Sequence, residues 1–119
     1  MEEQNEQQFE VLKIDNLYEI STTEPWNIRR IGKQNCLKQN IGNTGYLQVS
    51  IGKNQLVHRL VALQYINNDD PNSKIQVDHI DRNKLNNSID NLRWVTPIEN
   101  SQNKSKKLDL KNECFRFNR

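Results

Sequence analysis

After Met1 the next seven positions, EEQNEQQ, are all polar, and almost nothing there can offset the entropy lost on ordering, so residues 1–8 are expected to form a frayed acidic tail. From Phe9 to Ser21 the apolar positions Phe9, Leu12, Ile14, Leu17, Tyr18 and Ile20 follow no single period. That predicts a loop leading into a short strand at Tyr18–Ile20. The pairs Ile31-Gly32, Ile41-Gly42 and Ile51-Gly52 then recur every ten residues. Short strands over Trp26–Ile31, Cys36–Ile41 and Tyr46–Ile51 are predicted, joined by turns in which Gly and Asn supply positive φ. The segments between the turns do not repeat, so a small antiparallel sheet is expected and not a solenoid.

After Gln55 the period changes. Val57, Leu60, Val61 and Gln64-Tyr65 follow helical spacing, which predicts an amphipathic helix from Val57 to about Ile66, ended by Asn67-Asn68-Asp69-Asp70-Pro71. Ile75 to His79 alternates like a strand, an Asn-rich connection runs from Asp81 to Asn91, and Leu92–Val95 reads as a second strand. Thr96 then suits an N-cap, Pro97 the first helical position and Glu99 the third, so a helix starts there and runs to about Lys107. The organisation expected is a tail (1–8), an accessory β segment (9–54), a second unit (55–107) and a C-terminal tail (108–119).

Composition narrows the class. With 34% hydrophobic residues, 27% charged residues and a mean hydropathy of −0.95, the 119-residue chain can build one modest core. Its longest apolar run, Leu60-Val61-Ala62-Leu63, is far short of a membrane span, and the N-terminus has neither the basic nor the apolar region of a secretory signal. An intracellular, non-secreted protein is expected. Cys36 and Cys114 are far apart and form no C-x-x-C pair, so neither a disulfide framework nor structural zinc is expected.

The net charge of +2 conceals an uneven division. Residues 1–25 carry seven acidic groups and only Lys13 as a base, which leaves 16 basic and 8 acidic groups, a net of +8, to the rest. A basic body on a small domain suits a polyanionic partner, nucleic acid first.

Candidate chemistry lies between Asp78 and Asn100. An Asp-His pair ends the first strand of the second unit, and Asn100 sits in the first turn of the following helix. A carboxylate and an amide carbonyl are hard oxygen ligands suited to Mg²⁺ or Mn²⁺, with water and phosphate completing the shell. His79 is the natural general base, because an unperturbed imidazole titrates near neutrality. In a regular strand Asp78 and His79 face opposite sides, so a break in the strand at this pair is expected if both serve one site.

The runs VHRLVALQYI and VDHIDRNKLNNSIDNLRWVTPIEN, from Val57 to about Asn103, resemble the HNH (His-Asn-His) domain of intron-encoded homing endonucleases. The segment from Phe9 to Arg30, with YEIS and IRR, is more loosely similar to the small module that often precedes that domain. The resemblance implies an α+β fold, a ββα-metal nuclease finger preceded by a small antiparallel β segment. It implies a metal-dependent endonuclease that hydrolyses a phosphodiester of double-stranded DNA and nicks one strand, acting as a monomer or weak dimer. An inactive DNA-binding protein that keeps the scaffold is the alternative.

By the same resemblance, Asp78 and Asn100 are metal ligands, with Asn100 where the more common residue is His. His79 is the general base, and Asn91 braces the loop and helps to orient it. Candidate DNA contacts are Arg29, Arg30, Lys53, Arg59, Arg93 and Lys104, with surface salt bridges the alternative for Arg59 and Arg93. His58 is assigned a structural or phosphate-contacting role, Trp94 a place in the core, and Asn83, Asn86 and Asn87 a role in turns.

Overall fold

A computed structural model describes residues 7–102. Strands β1 (Phe9–Val11), β2 (Tyr18–Ser21) and β3 (Ile28–Arg30) form an antiparallel sheet in that order. A second antiparallel sheet contains β4 (Gln39–Ile41), β5 (Leu47–Ser50) and β6 (Asn54–Leu56). Helix α1 (Val57–Tyr65) follows β6 directly, and a two-stranded ribbon of β7 (Gln76–His79) and β8 (Leu92–Val95) leads into helix α2 at residues 97–102.

The chain is therefore an α+β protein whose accessory strands form two sheets where one was expected. The three strands predicted at ten-residue spacing are present but shorter, and β1 and β6 are additional. β6 is the polar triplet Asn54-Gln55-Leu56, which carries no alternation to read. It pairs with β5 because Gly52, at φ 90°, closes a tight hairpin in which the Ile51 amide donates to the Lys53 carbonyl (3.0 Å). The end of the expected tail is also pinned. Gln7 donates to the Thr23 and Pro25 carbonyls (3.0 and 2.9 Å), and the Gln8 carbonyl accepts from the Thr22 amide (2.8 Å).

One core runs through both halves. Leu12, Ile20, Trp26 and Ile28 from the first sheet cluster with Val49 and Ile51, with Val57, Leu60, Val61 and Ala62 of α1, and with Val77 and Leu92 of the ribbon. Fully buried aliphatic side chains such as Ile20, Ile28, Leu60 and Val61 each contribute about 1.5–3 kcal/mol. Polar contacts fix the docking of the first sheet on α1. Gln64 accepts from the Lys13 amide (2.9 Å) and donates to Glu10 and the Val11 carbonyl, while the Tyr65 hydroxyl donates to the Ser21 carbonyl (2.8 Å). No helix among the described residues is long and apolar enough to cross a membrane.

Candidate active site

The ribbon pairs Gln76 with Val95, Val77 with Trp94, Asp78 with Arg93 and His79 with Leu92. Alternation places Gln76, Asp78 and Arg93 on one face and Val77, His79 and Leu92 on the other, which packs toward α1. The strand stays regular through His79, so the break expected at the Asp78-His79 pair falls just after it. There the Ile80 amide donates to the Asn91 carbonyl (2.8 Å), the Arg82 amide donates to the His79 carbonyl (2.9 Å), and Arg82 takes a left-handed φ of 64°.

His79 is 4% exposed. Its Nε2 lies 2.8 Å from Asn87 Oδ1, its ring stacks on Tyr46 (centroids 5.7 Å apart, planes 20° apart), and His58 from the first turn of α1 lies 4.7 Å away, tilted by 52°. An amide oxygen can only accept, so this bond places a proton on Nε2 and the lone pair of the neutral ring on Nδ1. His58 also packs on Tyr46 (4.9 Å). Burial, followed by electrostatic repulsion of a second charge beside His79 and Arg59, pushes the His58 pKa from 6.5 down to about 4, and its buried Nδ1 has no hydrogen-bond partner. The second imidazole is therefore uncharged at neutral pH. Burial, and then the Asp78 carboxylate, raises the Tyr46 phenol above its usual range. Tyr46 thus packs on the His79 ring, and its phenol feels the charge of Asp78.

On the other face, Asp78 Oδ2 accepts from Arg93 Nε (3.0 Å) and Nη2 (2.9 Å). The predicted capping box is formed in both directions: Glu99 accepts from the Thr96 amide (2.9 Å), and the Thr96 hydroxyl accepts from the Glu99 amide (3.1 Å). This starts α2 so that Asn100 comes beside β7, where its amide nitrogen donates to Gln76 Oε1 (2.8 Å). Gln76 and Asp78 are two residues apart on one strand, so Asn100 reaches the face that carries Asp78. Its carbonyl oxygen is the end turned away from Gln76. Among the described residues no three His, Cys, Asp or Glu side chains converge to cage a metal. A carboxylate and an amide carbonyl on one face nevertheless fit a hard divalent cation that keeps much of its water.

The loop between β7 and β8 is built by its asparagines. Asn91 accepts from the Asp81 amide (3.0 Å) and donates to Asp81 Oδ1 (2.9 Å) and to the Asn86 carbonyl (2.8 Å). It braces the loop, while Asn87 accepts a hydrogen bond from His79. Asn83 and Asn86 make turn contacts with Leu85, Asp81 and Ser88, whereas Asn87 is buried and is no mere turn former. The hydrogen bonds from Asn86 and then Asn83 hold the Asp81 carboxyl below its usual range.

The candidate DNA contacts are scattered. Arg29 pairs with Glu19 (2.6 Å) and lies over the Phe9 ring (3.7 Å), while Arg30 lies 5.9 Å from the Tyr18 ring centroid. Lys53 is exposed in the β5–β6 turn. Arg59 donates to the Ile75 carbonyl (2.7 Å) and lies over Trp94, which packs against the core and donates to the Ile66 carbonyl (3.1 Å). Arg93 is committed to Asp78. Lys104, and the expected extension of α2 to Lys107, lie outside the described residues.

Tyr46, Asn87 and Trp26 are site neighbours that the sequence reading misses, and His58 gains a contact to His79. Asn87 is indistinguishable in sequence from the turn-forming asparagines around it. Trp26 offers one signal, an indole N–H that must find an acceptor if buried.

A two-stranded ribbon ending in Asp-His, followed by a helix that brings an Asn to the Asp face, defines the ββα-metal class of nuclease domain. The HNH endonuclease family model matches residues 55–102. The chain is 51% identical over 69 residues, 54% of its length, to an HNH endonuclease of Acanthamoeba polyphaga mimivirus, of which it covers 20%. It is 39% identical over 92 residues, 72% of its length, to the DNA endonuclease I-HmuI of Bacillus phage SP01, of which it covers 50%. A solved structure of DNA binding and cleavage by the HNH homing endonuclease I-HmuI superposes with a TM-score of 0.68 at 32% identity, covering 87% of this chain and 60% of that one. Over residues 55–102 the chain matches the HNH endonuclease family, and it is similar in sequence and fold to an HNH homing endonuclease. It spans between a fifth and a half of the length of these curated relatives.

Proposed function

We propose that the protein is a DNA endonuclease that uses one divalent ion, Mg²⁺ or Mn²⁺, and nicks one strand of a duplex. The observation that carries this reading is the Asp78-His79 pair at the end of β7, with Asn100 brought to the Asp78 face and the His79 ring held by Asn87. His79 takes a proton from a water molecule, which attacks a backbone phosphorus in line with the departing 3′ oxygen. The departing 3′ oxygen takes up a proton from solvent, which leaves a 5′-phosphate and a 3′-hydroxyl. Asp78 and Asn100 hold the divalent ion, which when bound offsets the negative charge gathering on the phosphate and the leaving oxygen. One such site cuts one strand per encounter, so double-strand cleavage requires a second copy or a second event.

The test is a supercoiled plasmid incubated with the protein and Mg²⁺ or Mn²⁺. The open-circular form should accumulate before any linear form, and EDTA or His79→Ala should stop it. Salt-sensitive DNA binding that persists in EDTA, with no cleavage under either metal, would replace this reading with that of a binding protein.

A further inference from the structure

The N-terminal sheet reaches the candidate base through two consecutive buried hydrogen bonds. Trp26, in the segment leading into β3, donates its indole N–H to the backbone carbonyl of Asn87, 61 residues away in sequence, at 2.8 Å. The side chain of that same Asn87 meets His79 Nε2 at 2.8 Å. Trp26, Asn87 and His79 are 7%, 5% and 4% exposed, so water does not compete for these bonds.

The indole is itself fixed. It stacks on Tyr65 of α1 with ring centroids 5.4 Å apart, and its own carbonyl accepts from Gln39 Nε2 (2.7 Å). A rigid donor thus holds the backbone of residue 87, and that backbone aims an amide oxygen at the imidazole. Asn91 holds the neighbouring Asn86 carbonyl (2.8 Å), and the indole holds the carbonyl of Asn87 itself. A cavity of about 330 Å³, lined by Trp26, Leu37, Leu47, Val57, Leu85 and Asn87, lies beside the relay. Without the indole bond, that space would let the Asn87 segment shift.

We propose that Trp26 is a positioning residue for His79: acting through Asn87, it keeps the proton on Nε2 and the lone pair on Nδ1, so the accessory sheet is part of the catalytic apparatus and more than a DNA contact. The inference rests on the reading of His79 as general base. For metal-bound histidines, groups that hold the ring in its tautomer are worth about ten- to a hundredfold, and an effect at the lower end is expected for a base held through two bonds.

Trp26→Phe keeps an aromatic ring against Tyr65 and removes only the donor. Single-turnover nicking at saturating DNA should fall about tenfold while the Kd for DNA stays within about twofold. ¹⁵N-resolved imidazole spectra, which need no activity, should show His79 moving from the Nε2–H tautomer to a mixture. Asn87→Ala, a loop substitution that leaves the core in place, should give the same spectral change, and the double variant should be no slower than Asn87→Ala.

A folded Trp26→Phe protein with the wild-type rate and tautomer overturns the proposal. So does a loss confined to DNA affinity, or single effects that multiply in the double variant. If Trp26→Phe does not fold, an unchanged His79 tautomer in Asn87→Ala overturns it. If the wild-type protein cuts no DNA, the endonuclease reading fails, and the spectra still decide whether the relay sets the tautomer.

Discussion

Asp78 and His79 are adjacent in sequence, yet the two faces of β7 surround them with different chemistry. Asp78 meets a cationic guanidinium, and its face also carries Gln76 and the amide of Asn100. His79 meets the rings of Tyr46 and His58 and the side-chain amide of Asn87, against the apolar side of α1. Strand alternation thus separates an oxygen-rich half suited to a cation from a dry half in which a proton is kept at a defined nitrogen. Tyr46 spans the two, its ring on His79 and its phenol under the influence of Asp78.

The sharpest way to break this comparison is to remove one residue from each face. Asp78→Ala and His79→Ala should both slow plasmid nicking by roughly 10²–10⁴-fold, since in the proposed mechanism each deletes a group used in the transition state. Their metal dependence should differ. Asp78→Ala should raise the Mg²⁺ concentration needed for half-maximal rate, and His79→Ala should leave it unchanged. Mn²⁺ binding followed by EPR without DNA provides the same distinction. Equal metal responses would mean that the two faces do not divide the work as proposed.

The second effect belongs to the dry face alone. In the folded protein the His58 pKa is lowered from 6.5 to about 4, so as pH falls the unfolded chain takes up this proton first. Stability is therefore intact above about pH 6.5, is lost as pH falls toward 4, and changes no further from this group below that. The loss amounts to about 3 kcal/mol, from a shift worth about 1.4 kcal/mol per pH unit. Urea unfolding at pH 7 and 4.5 measures it, with His58→Leu as the reference that shares every other titrating group. The variant should lose less stability between the two pH values by about that amount. Equal slopes would mean that His58 is not held neutral by its surroundings.

The legibility of the sequence follows the same division. Elements carried by local signals were readable: the 3.6-residue period of α1, the alternation of β7, and the Thr96-Pro97-Glu99 start of α2, whose reciprocal hydrogen bonds form as expected. The placement of Asp78 near the end of β7 and of Asn100 in the first turn of α2 follows from the same local signals. The surroundings of His79 were not readable in this way. Tyr46, His58, Asn87 and Trp26 come from four separate segments, and no local pattern states that they meet. The Asn-rich loop hid Asn87 among residues of identical composition, and β6 has no apolar alternation at all. The strand break expected at Asp78-His79 rested on both side chains needing the same face, whereas the ladder continues through His79 and leaves them on opposite faces.

The smallest effect tests the oxygen-rich face. Thr96→Ala removes the hydroxyl that accepts from the Glu99 amide, a cap worth about 1 kcal/mol. Most of the fold does not depend on this helix start, so the denaturant midpoint should move only slightly. Asn100 does depend on it, because it lies one turn beyond the cap and its amide donates back to the Thr96 carbonyl (3.0 Å). A loosened first turn should cost Asn100 part of its register against Gln76, so half-maximal nicking should need a few-fold more Mg²⁺. His79, held by Asn87 on the opposite face, should keep its tautomer in the imidazole spectrum. A shifted tautomer with an unchanged metal requirement would show that α2 acts on the dry face, and the separation of the two halves would then be wrong.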